Sequence, residues 1–222
     1  MNGLYERLLE EKVVVLDIET TGLRCGEDAD RILEIAAVKL EELQKTETFH
    51  RYVACPEPLP EEVALLTGIT DEMLAGAPPL AQVLKEFAAF SEGAVLAAYH
   101  LPFDCKFLDR YGAKCGISFS QDRVDLLPLV RRVLGEELKD LRVPPVAEAM
   151  GEEDAPKTCS EIPEAFANWL PQFAGREKAQ EGCTEVITSD MARQCCFPSP
   201  GTIKYPSSDG SVWCTFHRHV PP

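Results

Sequence analysis

The sequence predicts an α/β domain built on a mixed sheet, followed by an irregular C-terminal tail. Three observations carry that prediction: strand-like stretches crowd the first 55 residues, apolar faces of helical spacing then alternate with a compact strand, and sustained periodicity stops near residue 172. At 222 residues the chain can bury a full core, and we place the domain at 1–172 and the tail at 173–222.

The first element is "VVVLDIETTGL" (13–23), a buried strand that ends in two carboxylates, Asp17 and Glu19. Next come "RILEIAAVKLEE" (31–42) and "TFHRYVAC" (48–55), rich in β-branched and aromatic residues and separated by the polar "LQKTE"; they read as two more strands in hairpin succession. "LPEEVALLTG" has a proline near a helix start, apolar Val63 and Leu66, and a stop at Gly68, so it is expected to be a short helix. "PLAQVLKEFAAFSEG" (79–93) lines up Leu80, Val83, Leu84, Phe87 and Phe90 on one helical face, ahead of the strand-like "AVLAAYH". "PFDCKFLDRYG", "VDLLPLVRRVL" (124–134) and "PPVAEAMG", closed by Gly151, read as further helices.

The tail concentrates Pro, Ser, Gly and Cys without a period of two or 3.6. Its Cys183, Cys195, Cys196, Cys214, His217 and His219 could supply zinc ligands, but no C-x-x-C pair is present, and a thiol-bearing irregular tail is the preferred reading.

Composition narrows the function. A net charge of −15 argues against a protein that coats nucleic acid with a basic face, so any nucleic-acid role has to run through bound cations and local contacts. No apolar run is long enough for a membrane span, and the charged start "MNGLYERLLEEK" does not resemble a secretory leader; a cytoplasmic location and no membrane partner are expected. Nine cysteines scattered through a patterned α/β sequence are expected to be reduced thiols.

The acids at the end of the first strand carry the chemistry. Side chains two apart in an extended segment share a face, so Asp17 and Glu19 lie side by side with Ile18 turned away. Such a pair is unfavourable unless one acid is protonated or a cation lies between them, and a hard divalent ion with oxygen ligands supplies the cation. The plainer alternative is a solvated strand end with two incidental acids. A third acid, Asp104 in "AAYHLPFDCKFL", opens a helix directly after a buried strand; if that strand lies beside the first, Asp104 faces Asp17 and Glu19 across one crevice. Carboxylates at neighbouring strand ends suit two cations about 3.5–4 Å apart and in-line attack on a phosphodiester.

In this order, "VVVLDIETTGL", "RILEIAAVKL", "LPEEVALLTGITDEMLAGAPPLAQVLKEF" and "AVLAAYHLPFDCKFL", with weaker "VDLLPLVRRVL" and "VAEAMG", resemble the DnaQ-like 3'-5' exonucleases, most of all the proofreading exonucleases of bacterial DNA polymerase III of the epsilon or PolC type. The resemblance covers residues 13–151. It implies a ribonuclease-H-like fold, two Mg2+ or Mn2+ ions held by Asp17, Glu19 and Asp104, and stepwise release of nucleoside monophosphates from the 3' end of single-stranded or frayed nucleic acid, DNA in proofreading or repair. It implies further that Thr20, Thr21, Gly22, Leu23 and Phe103 hold the terminal nucleotide, Leu23 and Phe103 by apolar contact, and that a DNA polymerase subunit is a partner.

The chain departs from the family where the site should be completed. Members of the histidine type carry H-R-A-x-x-D-A, which gives a general base and a fourth carboxylate. Here the matching stretch is "APKTCSEIPEAF", with Pro156 in the place of the His and Glu161 in the place of the Asp, and no histidine lies between His100 and His217. Glu161 is carried as a catalytic candidate, against the plainer reading of a solvated first-turn acid, with Ser160 as the expected N-cap. "YPSSD" (Tyr205 to Asp209) fits the letters of the family's tyrosine branch but describes a turn, and His217 or His219 could fold back as a base. His100 stands where the family commonly has Asn. Two alternatives therefore stay open: a catalytically impaired member that binds a 3' end or a polymerase subunit, and a C-terminal segment that is not read in its native frame.

Overall fold

The computed structural model describes Leu8 and residues 10–25, 30–135 and 137–179. Strand β1 (Lys12–Thr20) is followed by β2 (Ile32–Glu41) and β3 (Gln44–Tyr52), each antiparallel to its predecessor. After the short helices α1 (Glu61–Thr67) and α2 (Asp71–Leu74) come α3 (Leu80–Phe90), β4 (Ala94–Ala98), α4 (Leu101–Lys114) and β5 (Arg123–Asp125). The chain ends its described part with α5 (Leu126–Leu134), α6 (Val143–Ala149) and α7 (Glu161–Ala179). The strand order is β3-β2-β1-β4-β5, with β4 and β5 parallel to β1. This is the mixed sheet flanked by helices that the sequence predicts.

Alternation along β1 sorts the core into two layers. Val13 and Val15 pack with Val130 of α5, Val146 of α6 and Phe166 and Trp169 of α7. Val14, Leu16 and Ile18 face the other way, against Phe87 of α3 and Phe107 and Leu108 of α4. Asp17 and Glu19 continue the first series, so the period of two that builds the core also aims both acids at the α7 side. A bulge between Glu19 and Thr20 then ends the regular pairing with β2 and turns the chain into the loop that follows.

Three elements differ from their sequence signals. The polar "QKTE" is the first half of β3, not a loop; β3 is an edge strand, and exposed charged residues are what protects such an edge from further pairing. The hairpin turns at Glu42 and Leu43, whose φ of 51° and 59° both lie in the left-handed region that a tight primed turn requires. Arg123–Asp125 is a strand, because Val124 fits beside β4, and three residues are too few to show a period; the helix starts only at Leu126, with Asp125 as its N-cap. Finally α7 runs on past Gln172 to Ala179 with Phe173 fully buried, so regular structure crosses the boundary drawn at 172. The expectations for zinc ligands, "YPSSD", His217 and His219 fall outside the described residues. No helix among the described residues is long and apolar enough to cross a membrane.

Candidate metal and nucleotide site

β1 delivers Asp17 opposite Ala36 and Glu19 opposite Glu34 of β2. The loop entering α7 closes over the same strand end. There Cys159, 1% exposed, donates its thiol to the backbone carbonyl of Asp17 at 3.1 Å. One donor atom from each of Asp17, Glu19 and Cys159 lies within 4.8 Å of the other two. Asp104 does not join that 4.8 Å group but stands close enough for both acids to act on it. Burial, first, and then the charge of Asp17 push its carboxyl well above the usual carboxylate range, with Asp125 and Glu19 adding to the shift. Among the described residues no lysine or arginine pairs with Asp104.

Asp104 is placed by an unusual helix start. His100 precedes α4 with φ 67° and ψ 43°, a left-handed conformation in which Asn, Asp and His are enriched among residues with a Cβ. That explains why the family's Asn and this chain's His can occupy the same position. The His100 backbone N–H donates to Asp125 at 3.2 Å, and burial pushes the His100 imidazole below its ordinary value while Asp125 opposes the shift. β4 pairs with β1, and the helix that follows β4 carries Asp104, buried, in its first turn.

The turn after β1 is held from within. Thr20, buried, donates its hydroxyl to the Gly22 carbonyl at 2.6 Å, and the Thr21 hydroxyl accepts the Arg31 N–H at 2.9 Å. Asp30 accepts the Arg24 N–H at 2.7 Å and the Arg24 guanidinium at 3.1 Å. A Cβ at Gly22 would stand 2.5 Å from Asp30 Oδ2, so only glycine fits against this carboxylate. Leu23 and Phe103 are half-buried, the Phe103 ring tilted against Phe107 at 5.0 Å between centroids.

Glu161 is not brought to the acids. Its carboxylate accepts the Lys157 N–H at 2.6 Å and the Thr158 N–H at 3.1 Å, while the Thr158 hydroxyl accepts the Glu161 N–H at 3.3 Å. This T-C-S-E stretch is a capping box, so Thr158, not Ser160, caps α7. The Lys157 N–H, the largest influence, holds the Glu161 carboxyl below its usual range. Pro156 and Glu161 line a cavity of about 670 Å³ between β2, β3 and α7. His50 lines it too, its Nε2 2.6 Å from the buried carboxylate of Glu34.

Sequence reasoning passed over Cys159, Asp30 and Asp125. Asp125 carried a signal, since an acid just before "LLPLVRRVL" is a normal N-cap. Cys159 acts through a contact across the fold, which spacing along the chain does not reveal, and Asp30 acts within the turn after β1, where no periodicity marks it.

Comparison with known proteins agrees with this architecture. A family model described as Exonuclease (RNase_T) matches residues 14–155. The DNA polymerase III PolC-type protein of Caldanaerobacter subterraneus subsp. tengcongensis is 36% identical over 148 residues, which are 67% of this chain and 10% of that protein. That of Halalkalibacterium halodurans is 42% identical over 131 residues, 59% of this chain and 9% of the relative. The chain therefore spans about a tenth of the length of these curated relatives. Among solved structures, E. coli Exonuclease I with a dA16 oligonucleotide superimposes with a TM-score of 0.60 at 17% identity, covering 74% of this chain and 42% of that one. The complex with dT13 gives 0.64 at 15% identity, over 77% and 42%. At such identity the likeness speaks for the fold. The family match spans nearly two thirds of the chain and takes in both strand-end acids, Asp104 and the loop up to Ala155, and on it the chain belongs to the DnaQ-like exonuclease family, related to the PolC-type DNA polymerase III proteins.

Proposed function

We propose that the chain is a metal-dependent 3'-5' exonuclease that releases nucleoside monophosphates from single-stranded or frayed 3' ends, DNA in proofreading or repair. The observation that supports this best is the pairing of Asp17 and Glu19 at the end of the central strand, with the buried Asp104 near enough for both charges to act on it. The donors suit a divalent ion, since a buried acid among acids becomes favourable once positive charge is added. Asp17, Glu19 and Asp104 would hold Mg2+ or Mn2+, two ions on the family pattern, supplying activation of the attacking water and charge neutralisation at the leaving oxygen.

The protein's own groups would do the positioning. The turn Thr20 to Leu23, fixed by Asp30, presents a rigid edge to the terminal nucleotide, and Phe103 offers a ring face or edge beside it. Specificity for sequence is not expected from these contacts, which suit any sugar and base. At Pro156 the loop has no proton acceptor, and Glu161 is committed to its helix cap. General-base help is typically worth about 10²- to 10⁴-fold, so turnover below that of a histidine-bearing relative is expected. The same two residues favour a second reading, a 3'-end or polymerase-subunit binding module without cleavage.

Digestion of a 3'-labelled oligonucleotide with Mg2+ or Mn2+ separates the two. Stepwise shortening by the native chain that vanishes in Asp17→Ala is the expected result. Binding of the labelled end with no shortening in either ion, by a chain that still binds metal, would establish the second reading instead.

A further inference from the structure

Cys159 stands among the acids at the strand end, and the metal-dependent reading does not account for it. We propose that Cys159 is a metal ligand, its sulfur completing with Asp17 and Glu19 a mixed oxygen and sulfur corner that favours thiophilic divalent ions such as Cd2+ and Zn2+ over Mg2+. The inference rests on the reading that the site holds metal.

The geometry comes first. The Cys159 sulfur and one carboxylate oxygen each from Asp17 and Glu19 are mutually within 4.8 Å. In tetrahedral geometry, bonds of about 2.3 Å to sulfur and about 2.0–2.2 Å to oxygen set donors on a common ion about 3.3–3.7 Å apart, so side-chain movements of about 1 Å close the corner. The cysteine is also fixed. It lies inside the Thr158–Glu161 capping box, is 1% exposed, and touches β1 from 142 residues away. Its sulfur is thus held at the strand end by the start of α7.

The charge around the site is consistent with that geometry. Asp104 is 2% exposed and faces Asp17, Glu19 and Asp125 with no lysine or arginine paired to it among the described residues. A buried carboxyl in that company either keeps its proton or gains a cation beside it, and a bound ion would supply the second. The acid that sequence assigns to the last corner, Glu161, accepts the Lys157 and Thr158 N–H groups on one oxygen, Oε2, and Cys159, on the same turn, is the residue that meets the strand.

Ligation exchanges one partner for another. The thiol gives its proton to water, the hydrogen bond to the Asp17 carbonyl is lost, and the thiolate sulfur bonds the ion. Oxygen ligands alone suit hard Mg2+, whereas a thiolate selects softer ions.

The test is a titration of the full chain under reducing conditions with Cd2+, followed by the ultraviolet thiolate-to-cadmium charge-transfer band, and with Mn2+, followed by its electron-spin resonance. The other cysteines can also bind Cd2+, so the diagnostic signal is the component that needs both Asp17 and Cys159. Cys159→Ser is expected to remove that component and to lower Cd2+ affinity by at least the loss seen for an outer partner, about 10-fold, while Mn2+ binding persists. Cadmium NMR of the native chain, with Asp17→Ala as reference, reads sulfur ligation even if Cys159→Ser folds poorly. An Asp17-dependent Mn2+ site whose Cd2+ spectrum is all-oxygen, or is unchanged in Cys159→Ser, would overturn the ligand assignment and leave the metal reading standing. No Asp17-dependent binding of either ion at millimolar concentration would overturn both.

Discussion

Asp104 is the residue on which metal-free stability should turn. Its folded carboxyl titrates well above the ordinary range because of burial and of Asp17 beside it. Below the ordinary aspartate value both folded and unfolded chains hold the proton, and the site costs nothing. As pH rises from there toward the folded value, the unfolded chain releases its proton first, so stability falls across that window and the full penalty remains above it. In chelator, the melting temperature should therefore decline from acid toward neutral pH, and Asp104→Asn should flatten the decline. An equal slope in the variant would show that other groups carry it. The side-by-side placement of Asp17 and Glu19 was legible in the sequence because alternation along a strand fixes where their side chains go, whereas Asp104, expected beside them, stands outside their 4.8 Å group. Cys159 was not legible, for it acts on Asp17, which only the folded chain brings near, and Asp30 was not, because its place against Gly22 and Arg24 depends on the backbone geometry of the turn after β1.

At the level of elements, α7 carries the most informative change. Removing the cap with Thr158→Ala should destabilise the protein by about 1 kcal/mol in a denaturant titration. Glu161→Gln keeps an acceptor in the same box, so a smaller loss is expected together with unchanged Mn2+ affinity. A large drop in that affinity would return Glu161 to the metal, where sequence position alone had put it. The capping box is readable as T-x-x-E in "TCSE", while the match to H-R-A-x-x-D-A gives the same glutamate a catalytic position, so one residue answers to two sequence signals. β1, β2, α3 and α4 were legible because their periods are long and unbroken. β5 and the first half of β3 were not: the former is too short, and the latter is polar on account of its place at the sheet edge.

For the whole molecule, the place where the domain stops can be measured. Among the residues whose side chains the structure describes, the last buried apolar one is Phe173, which packs with Trp169. A chain ending at Ala179 should melt like the full chain. One ending at Gln172 loses Phe173, and with it at least the cost of truncating a core phenylalanine, about 3–5 kcal/mol. Equal melting of both would put the domain boundary before α7 ends. The thiol contact between Cys159 and Asp17 spans 142 residues and reaches the central strand only once the loop before α7 has been made and docked. Closing so long a loop is slow relative to the local hairpins of β1, β2 and β3, and a chain leaving the ribosome completes its first strand long before that loop exists. The nascent chain thus carries its strand-end acids apart from Cys159, and the metal corner can form only after the loop before α7 has docked on β1.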